Sequence, residues 1–376
     1  MNIQQSVQDR YAEGAQEREA ALCCPVTYDP RFLKVIPEEV LERDYGCGDP
    51  SAYVREGDVV LDLGSGGGKI CFIASQVVGE KGRVIGVDMT PDMLDLAKRS
   101  APLVAEKTGF NNVEFKRGHI EDLKTDLDLV DAYLADNAVK SVDDLELLQQ
   151  KIEKLQAEQP MIADNSVDVI VSNCVLNLVA DVRKDKLFAE MFRVLKIGGR
   201  IAISDIVSDE PSPQHLKDDQ KLWSGCISGA LTETGFLEAL EDAGFHGITI
   251  DKYEDEPWQI VEGIEFRSVT VLAWKGDQGA DIEKNQAVIY PGPWKQVEDD
   301  DGQILYRGER MAVSERSFNI LTSEPYSDQI IGVPSANPVE SNEDFNFGIG
   351  ELRHPAETKQ GKAKITSDPD QGGTCC

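Results

Sequence analysis

The sequence is poor in basic charge, in histidine and in long apolar runs. Against 68 Asp and Glu it sets only 38 Lys and Arg, for a formal charge of -30. Such a surface repels phosphate backbones and anionic lipid, which argues against nucleic acid and membrane as partners. No stretch approaches the roughly 20 apolar residues of a membrane span, and the opening MNIQQSVQDRYAEGAQEREA has no apolar signal core. The expected location is the cytoplasm. The four histidines, His119, His215, His246 and His354, share no motif, so no His-based acid–base pair is indicated. Eight cysteines are too sparse, in a reducing compartment, for a disulfide framework. They are to be read as chemistry or as core filler.

What the sequence has is a regular alternation of apolar runs and helical periodicity. DVVLDLG reads as a buried strand ending in the glycine loop GSGGGK, with a helix from about Ile70. RVIGVD is a second strand, and Thr90 with Pro91 sets a helix start. NVEFKRG, VDVIVS and RIAISDIV supply three more strands, with a helix between the last two begun by Asp181 and closed by Gly198-Gly199. Strands alternating with helices predict a doubly wound α/β fold with ligand sites at the carboxyl ends of parallel strands. ITIDKY and RSVTVLAWK then predict a closing antiparallel hairpin.

The chain divides by texture. Residues 1–48 form an N-terminal cysteine-containing lid segment, and 49–275 the main domain. Within the latter, residues 122–160 are an acidic insertion whose Leu/Val/Ile spacing predicts two amphipathic helices packed on the sheet's flank. A small accessory domain is expected over 276–355, and a mobile tail ending in Cys375-Cys376 over 356–376.

The glycine loop narrows the ligand. A dinucleotide fingerprint counted from Gly64 would need its third glycine at Lys69. The run Asp62-Leu63-Gly64-Ser65-Gly66-Gly67-Gly68 instead resembles the D-x-G-x-G-x-G loop of S-adenosylmethionine (SAM) methyltransferases, which implies a seven-stranded Rossmann-like sheet. Asp62, Gly64, Ser65, Gly66 and Gly68 are then expected near the amino-acid end of the cofactor. Asp88, ending the second strand, is expected on the ribose diol. Ile120 and Glu121 after the third strand are expected to frame the adenine.

Cys47, Cys71, Cys174 and Cys226 lie in RDYGCG, LDLGSGGGKIC, DNSVDVIVSNCVLNLV and LWSGCISGAL, each inside a motif rather than between motifs. With GVDMT these blocks, over Asp44 to Lys275, resemble the arsenite SAM methyltransferases. The resemblance implies that Cys174 and Cys226 hold As(III) for transfer, with Cys47 and Cys71 as further ligands or a redox relay. It also places Asn173, Met89 and Asp88 along the cofactor. The expected substrate is arsenite or a thiol conjugate of it, and the expected reaction is arsenic detoxification by methylation.

The chemistry of those residue types agrees. Soft thiolates select thiophilic centres. Trivalent arsenic held by sulfur keeps a lone pair that serves as nucleophile, so the enzyme's contribution is mainly orientation and no general base is required. Transfer leaves arsenic pentavalent, and a dithiol closing to a disulfide returns two electrons. Cys47 or Cys71 is therefore expected to pair with a ligand cysteine during turnover, with thioredoxin or glutathione resetting it. The adjacent pairs Cys23-Cys24 and Cys375-Cys376 are candidate arsenite-capture thiols. Three other readings stay open: a structural zinc site on the four cysteines, a metalloid-sequestering protein that does no chemistry, and a SAM methyltransferase for a small non-metalloid substrate.

Overall fold

A computed structural model describes residues 3–16, 26–336 and 342–359. The chain separates into two compact units, Met1–Lys275 and Gly276–Cys376. Cys23, Cys24, Cys375 and Cys376 lie outside the described residues.

The first unit begins with helices α1 (Ile3–Gln16), α2 (Pro30–Leu33) and α3 (Glu38–Glu42). The alternation then runs β1 (Val59–Leu63), α4 (Lys69–Val78), β2 (Arg83–Asp88), α5 (Pro91–Thr108) and β3 (Val113–Arg117). The insertion contributes α6 (Leu127–Asp136) and α7 (Val142–Glu158). There follow β4 (Val167–Asn173), α8 (Asp181–Val194), β5 (Leu195–Ser208), α9 (Gln214–Lys217), α10 (Gln220–Ser224) and α11 (Glu233–Asp242). Strands β6 (His246–Tyr253), β7 (Gln259–Val261) and β8 (Ile264–Trp274) finish the unit. The sheet runs β3-β2-β1-β4-β5-β8-β6, and short β7 pairs with β8. The first five strands are mutually parallel, while β8 enters antiparallel between β5 and β6.

Strand periodicity sorts the core into two layers. Leu61, Leu63, Ile85, Val87, Ile170, Ile201 and Ile203 face one side, where they meet Phe188 and Met191 of α8 and Phe236 and Leu240 of α11. Their neighbours Val60, Val84, Val169, Val171 and Ala202 face the other side, against Phe72 and Ile73 of α4 and Leu96 of α5. Strands buried on both faces explain the near-continuous apolar runs. Parallel strands carried by helices on both faces place the carboxyl ends of β1, β2 and β4 along one edge.

One local expectation is corrected. Gly198-Gly199 does not close α8; the helix stops at Val194, and the pair lies inside β5, where Val167 pairs with Leu195 but Val169 with Arg200. Gly198 takes φ +78° there, a conformation that favours glycine. Helix α7 has no fully buried residue: Val142, Leu145 and Leu147 are exposed, Leu148, Ile152 and Leu155 are half-buried, and Gln156 donates to Thr125 Oγ1 at 2.7 Å.

The second unit centres on β9 (Gln286–Ile289). After the hairpin β10 (Gln296–Glu298) with β11 (Ile304–Tyr306) come β12 (Met311–Val313), α12 (Glu315–Leu321), β13 (Ile331–Val333) and α13 (Pro355–Thr358). Strands β12 and β13 flank β9 antiparallel, over a core of Val288, Tyr290, Met311 and Leu321. Buried Arg353 is neutralised by both Glu283 oxygens at 2.8 Å. Among the described residues no helix is long and apolar enough to cross a membrane.

Candidate functional site

At the carboxyl edge of β1, β2 and β4 a cleft encloses about 1150 Å³ including its open mouth. The glycine loop forms its floor. Gly64 and Ser65 both donate to the Val87 carbonyl, at 2.8 and 3.0 Å, which ties the loop to β2. Gly64, Gly66 and Gly68 have φ of +71°, +50° and +90°, a region where a side chain is strained. A Cβ on Gly64 would also strike Val175 at 2.4 Å, whereas one on Gly66 would point into open space. The backbone at Gly66 thus leaves room for a ligand to approach closely.

Asp62, Gly64, Ser65, Gly66, Asp88, Met89, Ile120, Glu121 and Asn173 all line this cleft. Gly68 does not; it starts α4, and a Cβ there would strike Phe115. The Asp88 carboxylate accepts from Gly66 N at 2.9 Å and Thr90 N at 2.7 Å, and burial holds its pKa above the usual carboxylate range. Burial also pushes Asp62 up to about 7, with Asp44 and Asp88 adding repulsion. The Ser65 hydroxyl is buried without a hydrogen-bond partner. An orphan hydroxyl, an uncluttered glycine and two carboxylates fit SAM.

Asp62 shares the β1 face of Val60, which is the face covered by α4. Cys71 on that helix accordingly donates to Asp62 at 3.1 Å, and its buried thiol is held well above its ordinary pKa. Cys71 packs in the layer under α4, whereas Cys47, Cys174 and Cys226 share a different cluster with Ile206, Ile227 and Phe266. The structure therefore brings three of the four motif thiols together.

Cys47 and Cys174 are joined in a disulfide, with Cα atoms 5.9 Å apart. Cys226 keeps its thiol and donates to the Cys174 carbonyl at 3.2 Å. Cys174 and Cys226 have φ of +58° and +62°, a conformation rare for a residue with a side chain and concentrated at functional sites. The surroundings impose it. Cys174 N donates to Ser204 O, and Leu176 N to the buried Asp205 carboxylate at 2.9 Å. Asn177 bridges the two thiol loops, reaching Ile206 O at 2.6 Å and Cys226 O at 3.3 Å. Among the described residues no three His, Cys, Asp or Glu are grouped to hold a metal ion.

Asn173 lines the cleft, but its amide is committed elsewhere. Its Oδ1 accepts from Cys47 N at 2.8 Å and Gly48 N at 3.1 Å, and its Nδ2 donates to Gly48 O at 2.7 Å and Tyr28 Oη at 3.2 Å. Asn173 is thus the clamp that seats Cys47 beside Cys174. The sequence reading missed three further lining groups. Helix α1 contributes Gln4, Val7 and Tyr11, with Tyr11 Oη 3.8 Å from Cys226 Sγ. Arg183 pairs with Glu121 at 2.9 Å. Asp44 pairs with Lys69 at 2.7 Å, and that ammonium also sits 3.6 Å from the centre of the Tyr28 ring. The lid segment expected over 1–48 named none of these α1 residues; only Asp44 had a signal, inside RDYGCG.

A methyltransferase-domain family model matches residues 55–163 and 135–244, two stretches that overlap on the helical insertion. A domain of unknown function matches 277–363. The arsenite methyltransferase of Aquipseudomonas alcaligenes is 35% identical over 308 residues, covering 77% of this chain and 78% of that one. The arsenite methyltransferase of Mus musculus is 29% identical over 93% of this chain and 88% of its own length. The crystal structure of an arsenic(III) SAM methyltransferase from Chlamydomonas reinhardtii superposes with a TM-score of 0.55 at 26% identity, covering 85% of this chain and all of that one. A glycine-loop cleft with Cys174 in its wall and relatives matched over most of their length agree: the chain belongs to the arsenite methyltransferase family.

Proposed function

We propose that this chain moves a methyl group from SAM to arsenic held by Cys174 and Cys226. The observation that carries this is the pair of left-handed cysteines, one lining the cofactor cleft and the other 3.2 Å from its carbonyl. When bound, SAM supplies an electrophilic methyl on its sulfonium sulfur. Asp62 would hold the amino group, Asp88 the ribose, and Ile120 with Glu121 the adenine. The protein's thiols displace hydroxide from arsenite, releasing water and leaving the arsenic lone pair intact. Their rigid loops orient that lone pair, a contribution of up to about 7–11 kcal/mol in well-aligned reactions.

Reduction of the pentavalent product uses the same sulfurs. Cys47 thiolate attacks Cys174 sulfur, the As–S bond breaks, and its electron pair stays on arsenic. The Cys47–Cys174 disulfide in the structure supports this step. Thioredoxin or glutathione in the cytoplasm would then reopen it. Incubation with arsenite, SAM and a thiol, followed by arsenic speciation over time, tests the reading. Methylated arsenicals should form, and Cys174→Ser should abolish them. A complete absence of methylated arsenic with the wild-type chain overturns it.

A further inference from the structure

The Cys47–Cys174 disulfide borders two cavities. Cys174 lines the methyl-transfer cleft, and Cys47 does not. Cys47 instead lines a second pocket of about 620 Å³ including open solvent, between β6, β8 and the segment entering α2. Thr27, Asp49, Lys252, Glu254 and Ser268 form much of its wall, and neither Cys226 nor the glycine loop borders it. Ser268 donates to the Cys47 carbonyl at 2.8 Å and so fixes that residue at the pocket's inner end.

Thiol–disulfide exchange proceeds by attack of a thiolate on one sulfur with departure of the other. The attacking sulfur approaches along the S–S axis, opposite the leaving sulfur. Cys174 borders the cleft and Cys47 the second pocket, so a thiolate in the cleft meets Cys174 and one in the second pocket meets Cys47. We propose that the second pocket is the port for a small thiol that carries both an ammonium and a carboxylate. Lys252 complements the carboxylate, and Asp49 and Glu254 complement the ammonium. The entering thiolate bonds to Cys47 Sγ, and Cys174 leaves as a thiolate into the cleft beside Cys226. A second thiolate then attacks the outer sulfur of the mixed disulfide and releases Cys47. Two small thiols lose two protons and two electrons to become one disulfide, and the protein disulfide gains them to become two thiols.

This assignment rests on the reading of Cys174 as an arsenic ligand, because it returns that sulfur first and keeps the reductant out of the cleft. Its test needs neither arsenic nor SAM, so its failure leaves the methyltransferase reading untouched. The oxidised full-length chain, with Cys23, Cys24, Cys375 and Cys376 replaced by Ser, is mixed briefly with limiting glutathione, acid-quenched, alkylated and mapped by mass. Glutathione should appear on the Cys47 peptide and the alkyl group on Cys174. Glutathione on Cys174 with alkylated Cys47 overturns the port. In a second arm, Lys252→Glu on the exposed face of β6 should slow reduction by glutathione at least fivefold and leave uncharged 2-mercaptoethanol within twofold. An unchanged glutathione rate also overturns it.

Discussion

Replacing Asn173 by Ala separates a clamp from a cofactor ligand. The substitution removes four hydrogen bonds, two of them from the backbone N–H groups of Cys47 and Gly48. Cys47 is buried, so its amide is left without a partner away from bulk water, whereas the amide of half-buried Gly48 turns to solvent. An orphaned buried donor costs about 1–3 kcal/mol, and a water entering the vacated space recovers part of it. The expected loss is about 2 kcal/mol, about thirtyfold in the opening equilibrium of the Cys47 loop. Amide hydrogen exchange on the reduced protein reads this directly, as a comparable fall in protection at Cys47 and Gly48. Gly46→Ala should reproduce the effect, because its Cβ would lie 2.2 Å from the Asn173 Nδ2 atom. Unchanged protection in Asn173→Ala, together with a tenfold weaker affinity for SAM, would refute the clamp and make Asn173 a direct ligand.

Two further expectations concern the cofactor cleft. Asp62 titrates at about 7 in the folded protein and near 3.9 unfolded, so its contribution to stability is complete below pH 4 and lost as pH rises through 7. An ammonium bound beside Asp62 favours the carboxylate, so SAM binding should release protons near pH 7 and none above about pH 9. Calorimetry in buffers of differing ionisation enthalpy measures this, and Cys71→Ala, which removes a hydrogen bond that lowers the Asp62 pKa, should move the release to higher pH. Helix α1 is tied down by Arg10 to Lys221 O at 2.9 Å, by Arg43 to Ala15 O at 2.7 Å and by Tyr45 to Gly14 O at 3.0 Å. Deleting residues 1–16 should speed SAM dissociation at least tenfold in stopped flow and quicken alkylation of Cys226; unchanged rates would mean that α1 does not cover the cleft.

The sequence by itself determined the strands, the glycine loop and the thiol-bearing motifs. These are local signals: apolar runs mark strands buried on both faces, as in VVLDL and VDVIVSN, and glycines mark backbone that side chains strain. Asp62, Asp88 and Glu121 were legible because each ends a strand or follows one, and parallel topology carries strand ends to one edge. Gly198-Gly199 misled because the same residues that close a helix also permit a bulge, and only pairing with β4 and Lys275 distinguishes the two. The tertiary structure alone decided which sulfurs meet. Cys47 and Cys174 stand 127 residues apart, and no periodicity links them; β4 and the Asn173 clamp bring them together. Cys71 sits on the α4 layer because of its place on that helix, so its sulfur found Asp62 rather than the other thiols. Chain-local preferences set which elements form, whereas contacts between distant elements set which side chains share a site.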